Sequence, residues 1–490
     1  MSPVPVVRTD VRLFPDPGRT ITRQFIPGGD TSPDGRTRTQ RVLERILALP
    51  EPQVVATLQS TCDQFSLRHP DIRTVLERNF AVVVHDIEWP DSLSSERRCL
   101  IGAYFTHEYS LGAAALSNPS MVPAPSQRGV PPGAVRFIMS LRAIGEGHVS
   151  SIQFRSGTVD ERGQVALDDA TPFAMTARRQ PPRYEKAVFR AKLVELHSFN
   201  KTAALVLDSL PEHFQMTELE ARLREVERSA ASDEGVTQAV RTIHWLAASN
   251  YESWFDADSD ISQRVLFPAG PTESQGIEDA RFVQFAYEDG DVTYFAPYTA
   301  FDGYEVLPQL IETRDFATFR VATLNGPAAA NKGIALFPRK ISGRFLALAR
   351  LDNENNYLIR SDDVRFWHES ELLQTPRAPW ELTQIGNCGS PIETEAGWLV
   401  ITHGVGPMRQ YCLGASLLDL HDPARVLGRL EEPLLAPIEA ERDGYVPNVV
   451  YSCGSMIVGE RLVLPYGFSD TGARIATLRL DDLLVELTRG

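Results

Sequence analysis

The chain is poor in cysteine, has no basic run and no long apolar run, and each shortage removes a class of protein. No stretch approaches the roughly 18 uncharged apolar residues that a membrane-crossing helix needs. The opening Met1-Ser-Pro-Val-Pro-Val-Val-Arg lacks the basic and apolar regions of a secretory signal, so the expectation is a cytoplasmic protein with no membrane partner. Five cysteines (Cys62, Cys99, Cys388, Cys412 and Cys453) are odd in number, scattered and never in a Cys-x-x-Cys pair. Neither a disulfide framework nor a structural zinc site is expected, and a reducing compartment fits. A formal charge of −15 without any Lys/Arg-rich segment argues against nucleic acid, whose phosphates demand a basic face. What is present is length and apolar content. With 490 residues, 43% of them apolar, the chain can fill two or three ordinary domains or one large repeat-built domain with additions.

Two regions read as helical. Across 36–80, Arg41-Val-Leu-Glu-Arg-Ile-Leu-Ala-Leu49 and Val54-Val-Ala-Thr-Leu-Gln-Ser-Thr-Cys62 carry apolar residues at helical spacing, punctuated by Pro50 and Pro70. Between Glu212 and Ser249, two runs beginning at Met216 and Val236 are rich in strong helix formers. The remainder reads as strands. From about residue 270 a unit recurs in which a glycine precedes an apolar strand with a polar end. The copies begin at Gly290, Gly343, Gly397 and Gly459, spaced by 53, 54 and 62 residues, the period of a four-stranded propeller blade. A fifth copy begins upstream at Gly133. Thr313-Arg-Asp-Phe-Ala-Thr-Phe319 and Ser361-Asp-Asp-Val-Arg-Phe-Trp367 form a second repeated element one blade apart.

Each repeat follows a short strand, so five hairpins point at one axis, where the polar residues at their inner ends collect. Those ends supply Asn118, Arg142, Asp279, Arg281, Lys332, Arg350, His403, Asn448 and Asp470. Buried charge is costly unless paired or used, so this set argues for a ligand that carries hydroxyls and an anion. The expected fold is mainly β: a five-bladed β-propeller over 111–490, with an N-terminal helical extension over 1–110 and a helical insertion at about 205–255 between blades one and two.

Gly276-Ile-Glu-Asp-Ala-Arg-Phe-Val, followed by Tyr298-Thr-Ala-Phe-Asp-Gly303, resembles the mannoside phosphorylases of glycoside hydrolase family 130. Ala280 stands where that family has proline, and Phe301 where it has tyrosine. Asn331-Lys-Gly-Ile-Ala-Leu-Phe-Pro-Arg-Lys-Ile341, Gly397-Trp-Leu-Val-Ile-Thr-His-Gly-Val405, Val446-Pro-Asn-Val-Val450 and Tyr466-Gly-Phe-Ser-Asp470 continue the resemblance in order. It spans about 110–160 and 270–490. The resemblance implies the same five-bladed fold and a single acid, Asp279, that protonates the departing glycosidic oxygen by way of a mannose hydroxyl. Inorganic phosphate as co-substrate then attacks from the opposite face with inversion, giving α-mannose 1-phosphate from a small mannoside or manno-oligosaccharide, with no metal or organic cofactor. Such a mechanism needs an acid on one face and cations to hold the phosphate on the other. By the same resemblance Arg142, Arg281, Lys332 and His403 are the phosphate cradle, and Asn118, Asp302 and Asp470 contact sugar hydroxyls.

Simpler readings stand beside these. Asp302 in Phe-Asp-Gly also fits a plain turn residue, and Trp367 and Trp398 fit blade core better than sugar platforms. Two other functions compete with phosphorolysis: an inverting β-1,2-mannosidase in which a second carboxylate activates water, and a glycan-binding propeller without turnover. The helical additions wall the pocket or form a contact in a homo-oligomer, and the sequence leaves both open.

Overall fold

The computed structural model describes residues 4–28, 35–83, 93–180, 182–229 and 233–489. Two compact units divide the chain: Asp16–Ala113 with Thr171–Met175, and Met1–Pro15 with Ala114–Ala170 and Thr176–Gly490. The fold is mainly β with helices. Among the described residues no helix is long and apolar enough to cross a membrane.

The smaller unit is built on α1 (Arg38–Leu47), α2 (Glu51–Phe65), α3 (Ile72–Val83) and α4 (Ser95–Tyr104). α1 starts at a capping box in which Thr37 and Gln40 exchange backbone and side-chain hydrogen bonds. Val54, Leu58, Leu76, Leu100 and Ile101 form its core. Gly102 lets α4 approach α3, since a methyl group there would lie 1.9 Å from the Leu76 carbonyl oxygen. The unit also holds an antiparallel strand pair, Thr20–Gln24 with Thr106–Ser110. Residues 29–34 and 84–92 of the expected helical extension lie outside the described residues.

The larger unit contains five antiparallel strand groups in chain order, called sheets below, of which the first two are joined into one continuous sheet by a parallel bridge between Ser150 and Gly276. The first runs Ala115–Pro123, Val135–Ile144, Ser150–Val159. The second runs Val283–Ala286, Val292–Phe301, Val306–Thr313, Thr318–Thr323 and is extended by Tyr251–Trp254. The third is Lys332–Leu336, Phe345–Arg350, Asn356–Ser361, Glu369–Gln374. The fourth is Gln384–Asn387, Gly397–Val405, Tyr411–Leu418, Val426–Arg429. The fifth holds Val450–Tyr451, Arg461–Phe468 and Gly472–Arg479. Their central strands are near-continuous apolar runs, and Gly397–Val405 is buried at every position, the pattern of strands covered on both faces. Gly133, Gly290, Gly343, Gly397 and Gly459 all have positive φ, which explains why the repeat is marked by glycine. The Thr313 and Ser361 elements are turns: Asp315 accepts from the Ala317 and Thr318 amides, and Asp363 from the Arg365 amide. Trp367 and Trp398 are core residues whose indoles donate to the Val364 and Leu420 carbonyls.

The sheets follow one another in space. The third contacts the second, the fourth the third, and the fifth the fourth. The fifth returns to the first, where Cys453 N donates to Pro119 O and the Ser120 and Gly454 backbones bridge. The first meets the second where Phe282 N donates to Ser120 Oγ.

Two boundaries differ from those expected. Val7–Leu13, expected within the helical extension, is the outer strand of the fifth sheet, paired with Gly472–Arg479. Its alternating pattern suits an edge strand. The helical insertion begins earlier than 205: α5 is Lys186–Glu195, followed by α6 (Lys201–Asp208), α7 (Met216–Ser229) and α8 (Glu234–Ala248). Phe189 and Leu193 of α5 supply one wall of the insertion's core, and helix gives way to strand at Tyr251.

Candidate active site

Asp279 lies at the break between the strand segments Gly276–Glu278 and Val283–Ala286, with a left-handed backbone (φ 54°). Such breaks and bulges re-aim a side chain out of the ladder. Its carboxylate accepts a hydrogen bond from Asn118 Nδ2, which itself stands at an irregularity in the first sheet (φ 50°). Arg281 is two residues on and almost wholly buried. Its Nη2 donates to the Tyr451 hydroxyl at 2.8 Å. Lys332 opposes Arg350 across the first strand pair of the third sheet. The intervening backbone is approached so closely that a methyl group on Gly333 would lie 2.7 Å from Arg350 Nε and 3.3 Å from Arg281 Nη1. Asp279, Arg281, Lys332, Gly333, Tyr298 and Thr299 line one narrow pocket.

Around this centre the cations outnumber the anions. Arg142 pairs with Glu278 at 2.5 Å and its charge acts on both Asp279 and Asp470. Arg350 Nη1 lies 3.4 Å from His403 Nε2. Arg142 Nε, Arg281 Nε and Nη1, and Arg350 Nε are buried with no hydrogen-bond partner among the described residues. Buried donors of this kind are costly unless an acceptor joins them.

The electrostatics separate the two carboxyls. Burial raises Asp279, but the charges of Arg142 and Arg281, the hydrogen bond from Asn118 and the charge of Lys332 together outweigh it and hold the group below the usual carboxylate range. At Asp470 burial dominates: its pKa is raised, with the Asp279 charge adding to the effect and Arg142, Ser117 and Arg409 opposing it. His403 is fully buried, and burial together with Arg350 and Arg281 pushes it far below its ordinary value, so the ring is neutral. It lies against Tyr451, with ring centres 4.9 Å apart, and its Nδ1 is 3.8 Å from Cys388 Sγ. Burial pushes that thiol up to about 12.

Of the residues singled out in the sequence, Asn118, Arg142, Asp279, Arg281, Lys332, His403 and Asp470 thus belong to one network of bonds and charges. Asp302 does not join them. Its Oδ1 accepts from the Tyr304 and Glu305 amides at 2.8 and 2.7 Å, so it caps the turn that its Phe-Asp-Gly setting also allowed. Asn448 binds Arg442 Nε at 2.8 Å. Four residues of the site had been given no role: Arg350, Tyr451, Glu278 and Cys388. Arg350 was visible as a charged strand end. Glu278 stood in the quoted Glu-Asp-Ala-Arg motif without a role, and Tyr451 and Cys388 gave no signal, because each acquires its meaning from a partner in another sheet.

Fold and site define a β-sheet protein that gathers cations around a buried carboxylate at the ends of its strands. The chain belongs to glycoside hydrolase family 130, whose sequence model, described as beta-1,4-mannooligosaccharide phosphorylase, matches residues 242–489. It is 34% identical over 229 residues to a beta-1,2-mannobiose phosphorylase of Listeria innocua, a match that spans 45% of this chain and 63% of that protein. To a 1,2-beta-oligomannan phosphorylase of a Thermoanaerobacter species it is 34% identical over 232 residues, 46% of this chain and 75% of that one. The solved structure of the Listeria beta-1,2-mannobiose phosphorylase with beta-1,2-mannobiose superposes with a TM-score of 0.46 at 22% identity, covering 77% of this chain and 93% of that one.

Proposed function

We propose that the protein is an inverting β-mannoside phosphorylase, with Asp279 as proton donor and a small β-mannoside and inorganic phosphate as substrates. The observation that carries this reading is the set of cations, Arg142, Arg281, Lys332 and Arg350, gathered at one carboxylate with four donor positions unpartnered. Attack by water needs no such charge. A phosphate dianion does, and guanidinium donors match its oxygens.

The same charges explain how a carboxyl with a depressed pKa becomes an acid. In the free site Asp279 is ionised. A phosphate held by Arg142, Arg281 and Lys332 offsets the charges that depress it, leaving burial, which raises it. Phosphate entry and protonation of Asp279 are therefore linked. In the reaction the glycosidic C1–O bond breaks, the proton of Asp279 passes to the departing oxygen, and a phosphate oxygen bonds C1 from the opposite face. Neutral His403 contributes a ring nitrogen to the cradle, and Asn118 and Asp470 face sugar hydroxyls. Support for the substrate class comes from the mannobiose and oligomannan phosphorylases named above.

The five sheets are, in this reading, the blades of one five-bladed propeller. Its support is the order of contacts from first sheet to fifth and back to the first. Residence in the cytoplasm, where phosphate is available, and chemistry without a metal or organic cofactor complete the proposal.

Asp470 favours a second reading. It is a second carboxyl coupled to Asp279 and raised in pKa, as a base activating water in a β-1,2-mannosidase would be. The test is release of mannose 1-phosphate from β-1,2- and β-1,4-linked mannosides, with and without inorganic phosphate. Phosphate-dependent release is expected. Free mannose formed equally well without phosphate overturns the phosphorylase and makes Asp470 the candidate base.

A further inference from the structure

The second strands of the first, second, fourth and fifth sheets each turn over in a short hairpin next to a residue of the site. Residues 145–149 follow Arg142, 302–305 follow Thr299, 406–410 follow His403, and 469–471 include Asp470. These turns carry apolar and aromatic side chains where turn chemistry asks for none. Tyr304 and Met408 are the two most exposed large apolar side chains among the described residues, and Met408 holds a left-handed backbone (φ 58°) that suits glycine or asparagine better. Arg409, next to it, acts through its charge on Asp470. His148, in the first of these turns, meets Tyr445: the ring centres are 5.9 Å apart at 29°, and the Tyr445 hydroxyl lies 3.0 Å from His148 Nδ1. Tyr445 is itself fastened over the turn that bears Asp470. Val446 N donates to Ser469 O at 3.0 Å, and a methyl group on Gly444 would lie 1.9 Å from Thr471 Oγ1.

Both rings of the pair are exposed, yet each fixes the other, so little side-chain freedom is left to lose when a ligand settles on them. The face of an aromatic ring is negative and attracts the weakly positive C–H groups of a pyranose. The pocket at Asp279 is narrow, so a mannoside longer than its room extends past these turns, and with Asp279 at the departing oxygen the part that extends is the leaving sugar. We infer that the His148–Tyr445 pair is a platform for a sugar ring on the leaving side of a manno-oligosaccharide, so that chains of three or more mannose units bind better than mannobiose. The inference rests on the mannoside reading of the site at Asp279.

Isothermal titration of the whole protein without phosphate tests it, using mannobiose and mannotriose in β-1,2 and in β-1,4 linkage, with the wild type, Tyr445→Ala and His148→Asn. Asparagine tolerates the left-handed backbone of His148 (φ 62°), and both side chains are exposed, so folding is not at stake. The wild type is expected to bind the trisaccharide of one linkage about three- to tenfold more tightly than the disaccharide. That advantage should vanish in Tyr445→Ala and shrink in His148→Asn, while the affinity for mannobiose holds. Equal affinity for the two lengths in the wild type, or an advantage undiminished in Tyr445→Ala, overturns the inference. Binding of none of these sugars overturns it together with the mannoside reading. Turnover is scored apart: a protein that shows the advantage but releases no mannose 1-phosphate in the presence of phosphate keeps the platform and loses the phosphorylase.

Discussion

The first strand of the fourth sheet solves a crowding problem differently from the corresponding segments of the other four. In the first, second, third and fifth sheets these segments pass through left-handed residues, Asn118, Asp279, Asn331 and Asn448, which swing side chains out of the ladder. Non-glycine residues in that conformation cost roughly 1–3 kcal/mol each and persist only where the surroundings impose them. The fourth sheet has no such residue between Gln384 and Ile392. There a side chain has been removed instead: a methyl group on Gly386 would lie 2.3 Å from Arg350 Cδ and 2.6 Å from His403 Cε1. Kinked strands present polar groups, whereas the glycine strand makes room for groups that other strands present.

The comparison is broken most severely at the kink that carries the acid. Asp279→Asn keeps the shape and the Asn118 contact but removes the proton, and kcat is expected to fall by about 10²–10⁴-fold in a steady-state phosphorolysis assay. Wild-type turnover by this variant would refute Asp279 as the acid. Lys332→Ala, which takes one cation from the cradle beside a kink, is expected to weaken phosphate by about ten- to hundredfold, the worth of a charge-assisted hydrogen bond of about 1.5–3 kcal/mol. The change should fall on KM for phosphate more than on KM for the mannoside. Gly386→Ala tests the other solution. Overpacking should destabilise the protein by about 1–3 kcal/mol in a denaturant titration and displace the Arg350–His403 pair, lowering activity as well.

The smallest effect concerns pH. Because His403 is held far below its ordinary value of about 6.5, the unfolded chain binds a proton there that the folded protein refuses. Its contribution to stability is whole above about pH 6.5 and is lost as the pH falls below it. Melting temperature should therefore drop between pH 7.5 and 5.5, and drop less in His403→Gln.

Much of this was legible in the sequence, for definite reasons. The five repeat glycines were visible because a positive φ admits few other residues. The charged strand ends stood out against apolar runs. The cross-sheet bonds were not legible: Asn118 meets Asp279, and Arg281 meets Tyr451, across 161 and 170 residues, and no local pattern encodes such a meeting. Asp302 shows the converse. It sits inside the most telling motif, yet it caps a turn, because an aspartate before glycine serves backbone amides as readily as a sugar. The edge strand Val7–Leu13 escaped notice since its partner is almost the whole chain away.

That strand sets a timetable. The hydrogen bond from Thr9 Oγ1 to the Ile475 carbonyl spans 466 positions, and at roughly 5–20 residues per second a ribosome separates the two by roughly 20–90 s. Through that interval the early strand has no sheet to join, so the fifth sheet is finished last, after the other four have had time to form. For that whole interval a nascent chain is open to proteases and to wrong pairing at Val7–Leu13.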